Sequence, residues 1–137
     1  MGERFLRARH RLGSRIRALT GSVYELDSDE IGTFDLVHAG DLLVHLRDPL
    51  LALQRLRAVT AGQAVLSDCY DPELGDRDVV RYLGGWEGAA WWLPSLPALV
   101  QMVADAGFSD VELVTTYNLA PTGHTSGPWR GVVRARP

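Results

Sequence analysis

The 137-residue sequence predicts an α/β fold, a mostly parallel sheet with helices on its faces, on three observations. Short apolar runs at 33–39, 63–69 and 111–117 alternate with amphipathic helical patterns at 49–58 and 95–106, the order expected of a parallel sheet. The first helical pattern begins on a favoured cap, Asp48 followed by Pro49. The last two strands, 111–117 and 129–134, are joined by a Gly/Pro-rich stretch with no helix between them, which predicts an antiparallel pair at one edge.

Taken in order, residues 3–13 read as a helix, with Phe5, Ala8 and Leu12 on one face, Arg4, Arg7 and Arg11 on another, and Gly13 as its stop. Residues 14–19 alternate weakly through Ile16 and Leu19 and predict a short strand. An acidic connection over 21–32 leads to the buried strand at 33–39. Leu50, Leu53 and Leu56 give the 49–58 helix its apolar side, and Arg55 and Arg57 suit its C-terminal dipole. Ala61-Gly62 reads as a turn before the strand at 63–69. Residues 70–93 read as a long irregular lid or binding loop, with a short helix over 76–82. The second strong helix turns Leu96, Leu99, Val100 and Val103 inward and stops at Gly107.

Composition narrows the class. One domain accommodates the length, and no apolar run approaches the roughly 20 residues of a membrane span. The basic start lacks the apolar core of a signal peptide, so a cytoplasmic location is expected. Net charge is −3, against general nucleic-acid affinity, although six Arg within the first 17 residues form a candidate anion or RNA surface. A solvated helix face is the plainer reading of those arginines. The single Cys69 can form no intrachain disulfide and reads as a small core residue.

The stretch 34–49, FDLVHAGDLLVHLRDP, is the centre of the chain. Strand, tight exit and capped helix present side chains at the carboxyl end of a strand, where open α/β sheets bind ligands. Asp41 and His45 flank that exit. Asp41 either orients a ligand or caps the turn; His45 either serves as base or orienter, or packs with its ring bonded to backbone. His38, inside the strand, reads as a satisfied core residue. Trp86, Trp91 and Trp92 read either as stacking walls of a pocket or as core and lid packing. His10, His38, His45 and His124 have no metal-ligand spacing with Cys69, so no metal site is expected.

Taken together, several segments resemble the second half of class I S-adenosylmethionine-dependent methyltransferases. Phe34-Asp35-Leu36-Val37, then Leu43 through Pro49, Leu53 and Leu56, are similar to that family's fourth strand and following helix. Gly62 through Asp68 resembles its fifth strand. Trp91-Trp92-Leu93-Pro94, Leu99, Ala106-Gly107-Phe108 and Val111 resemble its later helix and sixth strand, closest to the branch of tRNA wobble-uridine methyltransferases. The resemblance spans residues 21–137. It implies a partial Rossmann-like sheet, strands three to seven of the family, and S-adenosylmethionine as cofactor. It further implies cofactor contacts from Val23, Tyr24, Gly40 and Asp41, catalytic roles for Asp41 and His45, and an acceptor pocket walled by Trp86, Trp91 and Trp92. The acceptor is a small molecule or RNA.

The sequence departs from the family where the cofactor is held. No glycine-rich turn follows a first strand, and Gly84-Gly85-Trp86-Glu87-Gly88 neither follows a strand nor opens a helix in this reading. The expectation is a single domain over 1–137, truncated at its amino end, with weak or no affinity of its own for S-adenosylmethionine. Without the first two family strands, the 33–39 strand has an open edge, and such edges pair with other chains. A homo-oligomer or a partner chain on that edge is therefore expected, and a non-catalytic partner subunit is the alternative function.

Overall fold

The computed structural model describes residues 2–120 and 127–137. His124, considered above as a metal ligand, lies outside them. A four-stranded sheet and a separate two-stranded hairpin carry the fold. The large sheet runs in the order β1 (Phe34–Gly40), β2 (Thr60–Tyr70), β6 (Trp129–Arg136), β5 (Asp110–Asn118). β1 and β2 are parallel, while β6 runs antiparallel to both β2 and β5. The predicted α/β class and the antiparallel pair at one edge are both present.

Two helices follow the sequence closely. α3 (Pro49–Ala58) starts where the Asp48 carboxylate accepts the Leu51 N–H at 2.9 Å. α4 (Leu96–Asp105) starts where the Ser95 hydroxyl accepts the Ala98 N–H at 3.1 Å. In each case a short polar side chain satisfies an amide that the first helical turn leaves free. Leu53 and Leu56 of α3 and Leu99 and Val103 of α4 pack on Val37, Ala39, Ala64, Leu66, Val133 and Ala135 of the sheet. Fully burying each large aliphatic side chain contributes about 1.5–3 kcal/mol, so this single layer is the main source of stability.

The opposite face of the sheet is much more open. Leu36 and His38 are exposed there, Leu36 by 58%, and Val65 and Val132 are half-buried. His38 is therefore not a core residue: strand alternation turns Val37 and Ala39 inward and His38 outward. Among the described residues no strand pairs with the outer edge of β1.

Three further expectations are corrected. Residues 14–19 form no strand, and Ile16 and Leu19 stand exposed. The preceding helix α1 (Glu3–Arg11) buries none of its residues, so no neighbouring strand fixes the segment after it. Ala61-Gly62 is not a turn but part of β2. A Cβ at Gly62 would run into the Asp35 carbonyl of β1, so glycine is what lets the two parallel strands approach there. Residues 70–93 are not an irregular loop. They contain a one-turn 3₁₀ helix, Pro72–Leu74, and the antiparallel hairpin β3 (Val80–Trp86) and β4 (Ala90–Pro94). No helix spans 76–82. The glycines read as loop residues instead make the tight end of the hairpin, where Gly84, Gly85, Glu87 and Gly88 all have positive φ.

Upstream of β1, Val23–Glu25 form a 3₁₀ turn and α2 spans Ser28–Ile31. The Tyr24 hydroxyl accepts the Asp48 N–H at 3.0 Å, tying this segment to the start of α3.

Candidate active site

The exit of β1 is held by a carboxylate from the next strand. Asp68, near the end of β2 and buried, accepts the N–H groups of Leu42 at 2.8 Å, Leu43 at 2.6 Å and Val44 at 3.4 Å. It also accepts the Cys69 N–H at 2.9 Å. These amides belong to the 3₁₀ turn Leu43–His45 and its approach, which otherwise has no side-chain cap. Burial pushes the Asp68 carboxyl above its ordinary range, while the four amides pull in the other direction. The turn that displays the site is therefore pinned from below.

Asp41 sits at the crest with φ 49°, a left-handed conformation that Asp tolerates better than most residues. Its N–H donates to the Ser67 carbonyl at 2.8 Å. Its carboxylate accepts from Arg130 Nε at 2.6 Å, and Arg130 also donates to the Pro128 carbonyl at 3.1 Å. Asp41 is about half exposed, whereas the Arg130 side chain is only 11% exposed. The Asp41 hydrogen bond holds the Arg130 guanidinium even more firmly in its charged form. Cys69 lies 3.8 Å from the Asp41 carboxylate, and burial pushes its thiol up to about 11. A thiol so far from ionisation is no nucleophile.

His45 ends the 3₁₀ turn and is exposed. Its Nδ1 lies 3.0 Å from the carbonyl oxygen of Ala89, in the connection between β3 and β4. A carbonyl can only accept, so this contact places the hydrogen on Nδ1 and leaves Nε2 free to accept a proton. The hairpin thus sets which ring nitrogen is the base. Between hairpin and sheet lies a cleft of about 320 Å³, lined by Asp41, His45 and Arg130 on the sheet side and by Leu83, Trp86 and Leu93 on the hairpin side.

The predicted site residues separate into three groups. Asp41, His45 and Trp86 come together in this cleft, and Gly40 leads directly into it. Trp91 and Trp92 line another groove, with Arg47 and Tyr82. There the Arg47 guanidinium stacks 4.4 Å over the Trp91 ring, and Trp92 donates to the Arg47 carbonyl at 3.0 Å. Val23 lines a third cavity, with Leu26, Ile31 and Glu30, and Tyr24 is engaged with Asp48. Sequence reasoning missed Arg130 and Asp68. Asp68 carried a usable signal, as a carboxylate ending a buried strand next to the predicted ligand-facing exit. Arg130 carried none. No cluster of three or more metal-binding side chains exists among the described residues, and no helix among them is long and apolar enough to cross a membrane.

The fold is shared with solved structures that include methyltransferases crystallised with S-adenosylmethionine or S-adenosylhomocysteine. The N-terminal domain of EvdMO1, crystallised with S-adenosylhomocysteine, superposes with a TM-score of 0.69 at 21% identity, over 97% of this chain and 59% of that one. A Burkholderia thailandensis 1,6-didemethyltoxoflavin-N1-methyltransferase, with its acceptor and S-adenosylhomocysteine bound, gives 0.70 at 17% identity over 99% and 57%. Magnesium protoporphyrin IX methyltransferase from Synechocystis PCC 6803, with S-adenosylmethionine bound, gives 0.63 at 16% identity over 98% and 53%. The chain thus spans less than three-fifths of each of these structures. By sequence, no protein-family model and no curated protein matches it.

Proposed function

We propose that this chain is the acceptor-binding part of an S-adenosylmethionine-dependent methyltransferase, of the class I family, acting on a small molecule. Bound S-adenosylmethionine would supply an electrophilic methyl group. What this chain's residues contribute is acceptor placement: in-line displacement at a methyl carbon depends mostly on positioning, and a base adds to it where the acceptor is a weak nucleophile. His45 Nε2 takes the acceptor proton, Asp41 orients the acceptor, and Trp86 covers it. The observation that carries this reading is the His45–Ala89 contact, which leaves the other ring nitrogen free on a residue lining the same cleft as Asp41, in a fold shared with enzymes crystallised with the methyl donor or its product.

The residues present fit S-adenosylmethionine on one side only. Gly40 and Asp41 provide a wall, but among the described residues no strand stands beyond β1 to close the other side. On this reading other polypeptide supplies the enclosing half, and isolated affinity for the cofactor is weak. An RNA acceptor of the wobble-uridine kind is less well supported, because none of the residues lining the cleft comes from α1 with its arginines. Calorimetric titration of the chain with S-adenosylhomocysteine tests this: no saturation below roughly millimolar is expected, and micromolar binding would show that the chain holds the cofactor unaided.

A second reading rests on the open edge of β1. Its unpaired backbone groups, with Leu36 and Phe34 exposed beside them, suit strand-to-strand pairing with a second copy or a partner chain. In that case the chain is a non-catalytic subunit. Light scattering over a concentration series, repeated with Leu36→Lys, separates a self-pairing chain from a monomer.

A further inference from the structure

We propose that the cleft between Asp41 and Trp86 selects a neutral, planar ring bearing one O–H or N–H donor, rather than an anion or a cation. This rests on the acceptor-site reading above and names the acceptor's chemistry.

The polar side of the cleft is charge-balanced before any ligand arrives. The Arg130 guanidinium is already engaged by the Asp41 carboxylate at 2.6 Å and by the Pro128 carbonyl. An anionic ligand would have to compete with Asp41 for that guanidinium, and a cationic one would meet it at close range. The hairpin side offers Leu83, Trp86 and Leu93, with no charged group. Burying an uncompensated charge against such a wall is costly. Hydrogen-bonding capacity points the same way. With His45 Nδ1 donating to the Ala89 carbonyl, Nε2 of the neutral ring is left as an acceptor on a residue that lines the cleft. The Asp41 oxygen not used by Arg130 is a second acceptor. The cleft therefore asks its ligand for a donor. Trp86 is 62% exposed and offers an uncovered indole face, which a flat ring covers by stacking. A volume of about 320 Å³ accommodates a one- to three-ring molecule.

The test uses four probes that share a naphthalene ring: 2-naphthol, its methyl ether, 2-naphthoate and the 2-trimethylammonium derivative. Binding to the whole chain is followed by equilibrium dialysis, and by tryptophan fluorescence where the probe's own emission permits. The expected order places 2-naphthol first, about tenfold tighter than the methyl ether, which is the range of one well-made hydrogen bond. The two charged probes should bind more weakly than either. In His45→Ala the preference of naphthol over ether should fall, with the Asp41 oxygen left as the one acceptor, and in Trp86→Ala both should weaken together. Ether binding as tightly as naphthol, either charged probe binding as tightly as naphthol, or no probe binding at all overturns the proposal. None of these measurements involves the methyl donor. Naphthol selectivity in a chain that stays inactive even when joined to polypeptide supplying the cofactor-binding half would leave this inference standing while the methyltransferase reading fell, and methyl transfer by that assembly to an anionic acceptor would do the reverse.

Discussion

Arg130 on β6 donates through Nε to the Asp41 carboxylate at 2.6 Å, joining residues 89 positions apart across the mouth of the candidate site. The pair bridges the exit of β1 to the strand two places away in the sheet. It fixes the direction of a carboxylate that would otherwise swing freely on a left-handed residue. Because Asp41 is half exposed, solvent screening limits what the pair adds. A double-mutant cycle with Asp41→Ala and Arg130→Ala should give a coupling of about 1 kcal/mol in urea unfolding. A coupling indistinguishable from zero would show that the pair does not persist in solution.

Asp68 should matter more. Asp68→Ala leaves the Leu43 and Val44 amides buried without their acceptor and should cost about 2–3 kcal/mol. The pH dependence has a definite sign. The folded-state value is raised above the ordinary 3.8, so the carboxyl contributes stability that is complete below that pH and is lost as pH rises through the raised value. The destabilisation caused by Asp68→Asn should therefore be largest near pH 4 and shrink toward neutrality. Unfolding curves of both proteins across that window check it, and a deficit that grows with pH would contradict it.

How much of this was visible beforehand depended on range. α3 was legible to the residue because Asp48-Pro49 acts within a few positions of the amide it caps, and α4 nearly so because Leu96, Leu99, Val100 and Val103 repeat at helical spacing up to Gly107. The antiparallel edge pair was legible from the helix-free Gly/Pro-rich connection, and α/β alternation through periodicity. The hairpin was not, because Gly84, Gly85 and Gly88 read equally as a loop or as positive-φ turn positions, and only the pairing of Tyr82 with Trp92 decides between them. Asp41 and His45 were legible because they flank a strand exit. Their partners Arg130 and Ala89 are distant in sequence and leave no periodic trace. His38 was misplaced because a strand with one open face resembles a buried strand when its apolar run is counted without its alternation.

Cys69 gives a simple chemical check. With its thiol pushed up to about 11 and mostly buried, it should resist a maleimide at pH 8 in the native protein and react once urea unfolds the chain. Rapid stoichiometric labelling of the native state would mean that the packing around Asp41 and Arg130 is looser than described.

Gly62→Ala tests the contact between β1 and β2. The added methyl meets the Asp35 main chain rather than a flexible side chain, so the strands must separate. A loss of about 2 kcal/mol or more is expected in thermal or urea unfolding, within the range of overpacked sites. Gly131→Ala, where the methyl meets the ends of Leu96 and Leu99, should cost less because those side chains can rotate. Equal losses at the two positions would argue against the close backbone approach.

The hairpin shares no strand with the main sheet, and this bears on timing. β3 and β4 bond to each other, while their ties to the rest run through isolated contacts and not a strand ladder, among them Asp71 with Pro94 and Arg81, Arg47 with Trp91 and Trp92, and His45 with Ala89. A unit so lightly attached opens at a lower free energy than the sheet it leans on. Its amides should exchange with solvent in a separate, faster class than those of β2 and β6. Each such opening would release the Ala89 carbonyl from His45 and free the imidazole to change tautomer. Proton placement at the candidate base is thus tied to whether the hairpin is closed, and ligand entry and readiness for proton transfer become a single local equilibrium.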